Sequence, residues 1–405
     1  MNKKKWDLAA LASIPLIMTL ANSMIIPILP LLQKQLNIAA WQSSLIITVY
    51  AAISIILIPI AGYLSDRYGR KKIIIIGLTI VTVGGAISGL AGWLLKDHVY
   101  LIILFGRFIQ GIGSAGAFPI VIPFVGDMFN SDEQVSEGLG KVETANTFGK
   151  VLSPVLGSAL ALIAWYVPLV TIPIICIISI VAVCFLVKTP KPATQDQNKQ
   201  SFKNFVKSVK SLLIEQGRWI YAIFVSGCLV MFILFGFLFY LSSTLEDKYH
   251  FEGVIKGLLL AIPLSAICLA SYVTGKTIGK KKSRMKWCLV IGSSLLTGSM
   301  VMSAFIHSTS ITWLIIILVV GGAGIGLMLP SLDSLITEGI EKEKRGTITS
   351  LYSSMRLIGV ALGPLITSII LTKQAWLFGI FALCGIVCCT VSLIAIKPES
   401  SAKSE

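Results

Sequence analysis

Three cations sit where cations are expensive. Arg107, Lys150 and Arg356 lie inside stretches of chain that are otherwise almost wholly apolar. A charge held in such a stretch faces the interior of a helix bundle and marks a path for an ion or a polar solute. Arginine keeps its proton, so Arg107 is either a pathway residue or a structural partner of a backbone carbonyl. Lysine gives up its proton readily when buried. Lys150 therefore has three readings: it binds an anionic group, carries a proton, or neutralises Glu143, two turns away on one helix face. Glu143 and Asp333 are the acids placed to carry a proton, although each also lies near the end of its apolar run.

No carboxylate falls in the middle of the first or seventh apolar run, and Asn22 is the main polar side chain of the first. Three buried positive charges without a central acid argue for an anionic, zwitterionic or neutral polar cargo. A negative-inside membrane potential favours export of an anion. The seventh run is rich in rings, Phe235 and Tyr240 among them. These either stack an aromatic cargo or serve as packing and lipid-facing residues. Asn22, Gln110, Lys150, Phe235, Tyr240 and Arg356 make the expected cargo set. The runs contain no nucleophile–base pair, metal-ligand cluster or phosphate-cradling loop, which argues against an enzyme and against a cofactor.

The elements that must hold these residues are membrane helices. Of the 405 residues 55% are hydrophobic and only 13% charged, with mean hydropathy +0.86. A soluble fold carries about 25% charged residues. About 20 apolar residues cross a bilayer, and runs of that size lie near 8–31, 42–64, 73–95, 99–125, 142–164, 167–187, 219–241, 254–274, 287–307, 311–335, 347–371 and 376–396. With the N-terminus inside, most of the 34 Lys and Arg residues fall in cytoplasmic segments, and only Lys34, Lys96, Lys248, Lys256 and Lys373 fall in external loops. That asymmetry puts both termini in the cytoplasm. The formal charge of +15 is thus an orientation signal, and no nucleic-acid partner is implied. His98, His250 and His307 fall in external loops as solvated residues, and the eight cysteines read as small hydrophobes. The basic N-terminus leads into the first span rather than into a cleavable signal.

The runs divide six and six. Residues 188–218 form the longest polar connection, with Phe202, Phe205, Val206, Val209, Leu212 and Leu213 at the spacing of an amphipathic surface helix. The expected organisation is a bundle over 1–187, a linker over 188–218, a second bundle over 219–396 and a cytoplasmic tail over 397–405. An offset of 210 residues relates Gly69-Arg70-Lys71-Lys72 to Gly279-Lys280-Lys281-Lys282, and Gly149 and Pro154 to Gly359 and Pro364. A recurring offset is the trace of a duplicated six-helix unit, the architecture of rocking transporters. Gly149, Pro154, Gly157, Gly359, Gly363 and Pro364 are expected to permit close helix approach or local bending.

The motifs resemble those of the major facilitator superfamily over essentially the whole chain. Gly62-Tyr-Leu-Ser-Asp66-Arg67-Tyr-Gly69-Arg70-Lys71-Lys72 is similar to that superfamily's signature loop between the second and third helices. Arg107-Phe-Ile-Gln110-Gly111-Ile-Gly113 is similar to the fourth-helix motif of its drug exporters. Gly149-Lys-Val-Leu-Ser153-Pro154-Val-Leu-Gly157-Ser158 resembles the fifth-helix antiporter motif, with serines at two usual glycines and Lys150 at a usually apolar position.

The resemblance implies an all-α fold of twelve transmembrane helices in two pseudo-symmetric bundles. It implies a proton as coupling ion, with Arg107 joining Glu143, Lys150 and Asp333 in the coupling set. It also implies a cytoplasmic latch of Gly62, Asp66, Arg67, Gly69, Arg70 and Asp127 that holds the lobes together when the carrier faces outward. Lys71 and Lys72 read as positive-inside anchors. The chain from Lys5-Trp6-Asp7 through the first helix is similar to Gram-positive exporters of catecholate siderophores. The implied activity is proton-coupled export of a small organic molecule by a monomer in the bacterial cytoplasmic membrane. Broad multidrug efflux, uptake by symport and lipid flipping stand as alternatives.

Overall fold

The computed structural model describes residues 4–129, 132–188, 217–278, 282–305, 310–339 and 342–396. The proposed amphipathic helix of the linker, the Gly279–Lys281 turn and His307 lie outside the described residues. In chain order the helices are α1 (Lys5–Ser23), a 3-10 turn (Ile26–Ile28), α2 (Leu29–Leu36), α3 (Ala40–Tyr68), α4 (Arg70–Leu94), α5 (Val99–Ala115), α6 (Phe118–Met128), α7 (Asp132–Ala161) and α8 (Val167–Leu186). They continue with α9 (Arg218–Asp247), α10 (Gly253–Ile278), α11 (Lys282–Phe305), α12 (Ile311–Gly339), α13 (Lys342–Ile370) and α14 (Gln374–Ala395).

Hydrocarbon offers the backbone no hydrogen-bond partner, so a spanning segment must bond within itself, as these helices do. Eleven stretches among the described residues are long and apolar enough to cross a bilayer, α1 with α2 and α5 with α6 each making one. Helix α7, 30 residues long and richer in charge, completes twelve. Large apolar side chains such as Ile178 and Phe185 of α8 stand exposed, as a lipid-facing surface requires. In the first unit described below, Trp41 and Trp93 are exposed near one end of the helices and Trp6 near the other, the placement of interfacial tryptophans.

Two helical breaks were hidden inside single apolar runs. Pro27 and Pro30 interrupt the first span at the 3-10 turn, and Gly116 and Ala117 separate α5 from α6. Proline removes a backbone donor, so Pro30 cannot make a helical bond to the Ile26 carbonyl, which accepts instead from the Leu29 N–H of the 3-10 turn. The hydroxyl of Ser242 donates to that oxygen at 3.3 Å.

The chain groups into two compact units, Met1–Val209 with Leu241–Leu258, and Lys210–Tyr240 with Leu259–Glu405. In the first, α4 packs on α5 and α8, and α1 packs on α7 and α8. In the second, α11 packs on α12 and α14. The third span meeting the fourth and sixth is thus repeated as the ninth meeting the tenth and twelfth. The same close approach recurs. A Cβ on Gly84 would stand 2.6 Å from the Gly106 carbonyl, and one on Gly292 would stand 2.6 Å from the Gly324 carbonyl. Glycine is what lets these backbones come together.

Candidate functional site

Arg107 is wholly buried. Helix α5 presents it one turn before Gln110, and α1 and α3 supply the rest of its surroundings. Its Nε donates to the Ile46 carbonyl at 2.8 Å, one terminal nitrogen donates to Gln110 Oε1 at 2.7 Å, and the other donates to Asn22 Oδ1 at 2.8 Å. The Tyr50 ring lies 4.4 Å from the guanidinium carbon. Every one of these partners is neutral, and among the described residues Arg107 makes no ion pair. Arg107 thus bonds a backbone carbonyl, as its structural reading expects, and also holds Asn22 and Gln110 beside it. The Gln110 Nε2 is buried and finds no partner among the described residues.

A second polar line runs between α7 and α1. Asn146 donates to the two Glu143 carboxylate oxygens at 3.2 and 3.1 Å, and Thr19 donates to Asn146 Oδ1 at 2.5 Å. Lys150, one turn beyond Asn146, is 9% exposed. Gly149 faces the Leu16 carbonyl of α1 and Gly157 the Met24 carbonyl. Pro154 lies inside α7. In the second unit Gly359 and Gly363 of α13 meet the Cys228 and Phe232 carbonyls of α9 in the same way, with Pro364 next in the helix.

The cationic trio does not survive as three equals. In the second unit Arg356 pairs with Asp333 at 3.3 Å, so a residue assigned to cargo and one assigned to coupling neutralise each other. They lie on α12 and α13, and linear sequence does not reveal that juxtaposition. The Arg356 guanidinium also lies 5.5 Å from the Tyr352 ring, which stacks on Phe224. The rings of α9 are engaged in packing. Tyr240 meets Phe378 edge-on at 5.0 Å, Phe232 meets Phe381 at 5.5 Å, and Phe235 is buried.

In the signature loop, Arg70 Nε reaches Asp127 at 2.6 Å and a terminal nitrogen reaches Asp66 at 3.5 Å. Gly69 turns the chain at φ 96, a conformation that suits glycine. Arg67 lies against its neighbour Tyr68, and Gly62 accepts from Ser65 through its carbonyl. All these contacts are internal to the first unit, where they brace the α3–α4 turn against the end of α6. Lys71 does more than anchor. Its Nζ donates to the Cys184 and Val187 carbonyls at 3.0 and 2.7 Å, capping α8.

One cluster escaped the sequence reading. Lys256, counted there with the external loops, lies in the first turn of α10 at 2% exposure. Its ammonium reaches Glu246 at 2.7 Å and donates to the Pro27 carbonyl at 2.6 Å. Lys34 takes the other Glu246 oxygen at 2.9 Å. A buried acid therefore does exist on the seventh span, at its end rather than its middle. The apolar run stops before Glu246 whereas the helix continues to Asp247. A charge one turn inside a predicted helix was the signal available.

Twelve membrane-spanning helices in a repeated packing pattern, with buried cations among them, define a polytopic transporter. The sequence profile of the Major Facilitator Superfamily matches residues 11–364 and, again, 286–405, and the chain belongs to that superfamily. It is 51% identical over 397 residues to the bacillibactin exporter of Bacillus subtilis (strain 168), covering 98% of this chain and 97% of that one. Multidrug resistance protein 2 of the same organism is 25% identical, covering 91% of this chain and 90% of its own. The crystal structure of the human organic anion transporter MFSD10 (TETRAN) superposes with a TM-score of 0.72 at 17% identity, covering 96% of this chain and 99% of that one.

Proposed function

We propose that this protein exports a catecholate siderophore, or a closely similar anionic polar-aromatic molecule, across the bacterial cytoplasmic membrane by alternating access driven by proton entry. The full-length likeness to a bacillibactin exporter carries the reading. Arg107 supports it, because a buried guanidinium among neutral partners leaves positive potential in the first unit. The protein acts as a monomer with both termini in the cytoplasm, so the Arg70 end of the first unit is the inner end and the Lys256 end the outer one. This orientation rests on the Lys and Arg asymmetry.

Energised inverted vesicles containing the protein test the proposal, with a catecholate siderophore and a lipophilic cationic dye as competing cargoes. The expected result is siderophore accumulation that collapses with the proton gradient and is coupled to proton release from the vesicles. Preferential accumulation of the dye would overturn the cargo assignment and favour broad multidrug efflux.

A further inference from the structure

The Glu246 cluster is assigned no role by the coupling or cargo arguments, yet it is the most buried ion pair described. Glu246 is 4% and Lys256 2% exposed. Hydrophobic residues of similar volume stabilise such a site as well as or better than an ion pair does. An ion pair offers something they do not, a contact whose strength changes greatly when water or a competing charge reaches it. The cluster has one wet edge, because the Lys34 side chain is 53% exposed, and one dry edge at Lys256.

Its position is specific. It ties together the broken first span, through the Pro27 carbonyl and Lys34, the end of α9, through Glu246, and the start of α10, through Lys256. Ser242 adds a bond to the Ile26 carbonyl. Beside it, Gly257 lies against α7, where a Cβ would stand 2.6 Å from the Pro154 carbonyl, and Gly253 lies against Leu162. The ends of α1 with α2, of α7, of α9 and of α10 are therefore drawn shut on one side of the first unit.

We infer that Glu246 and Lys256, with Lys34 at the solvent edge, form a releasable latch that closes the external end of the carrier and opens once in each transport cycle. Release exchanges the Lys256 contacts with Glu246 and Pro27 for water, so the latch holds only while the site is dry. The assignment to the external end rests on the orientation given above, whereas the latch itself does not.

The test places a reporter beneath the latch. Ser158 of α7 is 3% exposed and its hydroxyl has no partner among the described residues. In a chain carrying Ser158→Cys, labelling by a membrane-impermeant maleimide is timed in intact cells and in inverted vesicles. Glu246→Gln and Lys256→Met each remove one partner and should speed labelling from outside by about tenfold. The double variant Glu246→Leu with Lys256→Met keeps the site packed but cannot release. Its labelling should stay as slow as the parent's and its siderophore export should be lost. Faster labelling in inverted vesicles only would leave the latch standing and reverse the orientation. Unchanged labelling in both single variants, or parental export by the packed double variant, would overturn the proposal. Labelling also decides if the cargo proves to be something else.

Discussion

The side-chain oxygen of Asn22 accepts from Arg107 at 2.8 Å, and no acid stands beside them among the described residues. A carboxylate at that position would change both charge and bond strength, because a charge-assisted bond is about twice as strong as a neutral one. Asn22→Asp should therefore neutralise Arg107 without disturbing its geometry. Export of an anionic siderophore should fall about tenfold or more relative to a cationic dye, a difference of about 1.4 kcal/mol in transition-state free energy. Competition between the two cargoes in vesicles measures this. An unchanged ratio would show that Arg107 does not sense the cargo's charge. Arg107→Lys should be no substitute, since an ammonium lacks the planar fork that spans three acceptors.

Lys71 and Lys286 perform the same task in the two repeats. Lys71, at the start of α4, donates to the last turn of α8, and Lys286, at the start of α11, donates to the Leu393 carbonyl in the last turn of α14 at 2.8 Å. A cation at a helix C-terminus satisfies orphan carbonyls and complements the dipole, contributing about 0.3–1 kcal/mol. Lys71→Met and Lys286→Met should each lower thermal stability in detergent by a comparable small amount. Because they share no partner, their effects should add. A double variant far less stable than the sum would show that the two caps are coupled.

Gly84 and Gly379 are both helical, but only one is crowded. A Cβ at Gly84 would fall 2.6 Å from the Gly106 carbonyl, whereas one at Gly379 would meet nothing within 4 Å. Gly84→Ala should push α4 from α5 and destabilise by about 1–3 kcal/mol. Gly379→Ala should be neutral or stabilising by up to about 1 kcal/mol. Thermal unfolding of the two variants side by side checks the contrast.

The spans were legible because a bilayer demands about 20 apolar residues per crossing, and the repeat was legible in the 210-residue offset. The gathering of Asn22 and Gln110 around Arg107 was partly visible, since polar residues on apolar spans seek one another. The Arg356–Asp333 pair was not, because its members lie on different helices 23 residues apart. Lys256 was misplaced for a simpler reason. A lysine in the first turn of an apolar run reads as belonging to the loop before it, whereas the structure holds this one inside against Glu246. The prolines of the first span were present in the sequence, but the donor that the Pro27 carbonyl meets, Lys256, lies 229 residues away.

That last dependence bears on how the chain is made. The Pro27 carbonyl receives the Lys256 ammonium from 229 positions later, and the Ile26 carbonyl, already bonded to the Leu29 N–H, gains Ser242 from 216 positions later. In hydrocarbon such groups must find partners within the protein, yet a nascent chain emerges N-terminal end first. The six helices inserted first therefore wait, with one bend unfinished, until the ribosome has passed Lys256. A polypeptide stopped after α8 would lack the segment that completes its own opening helix.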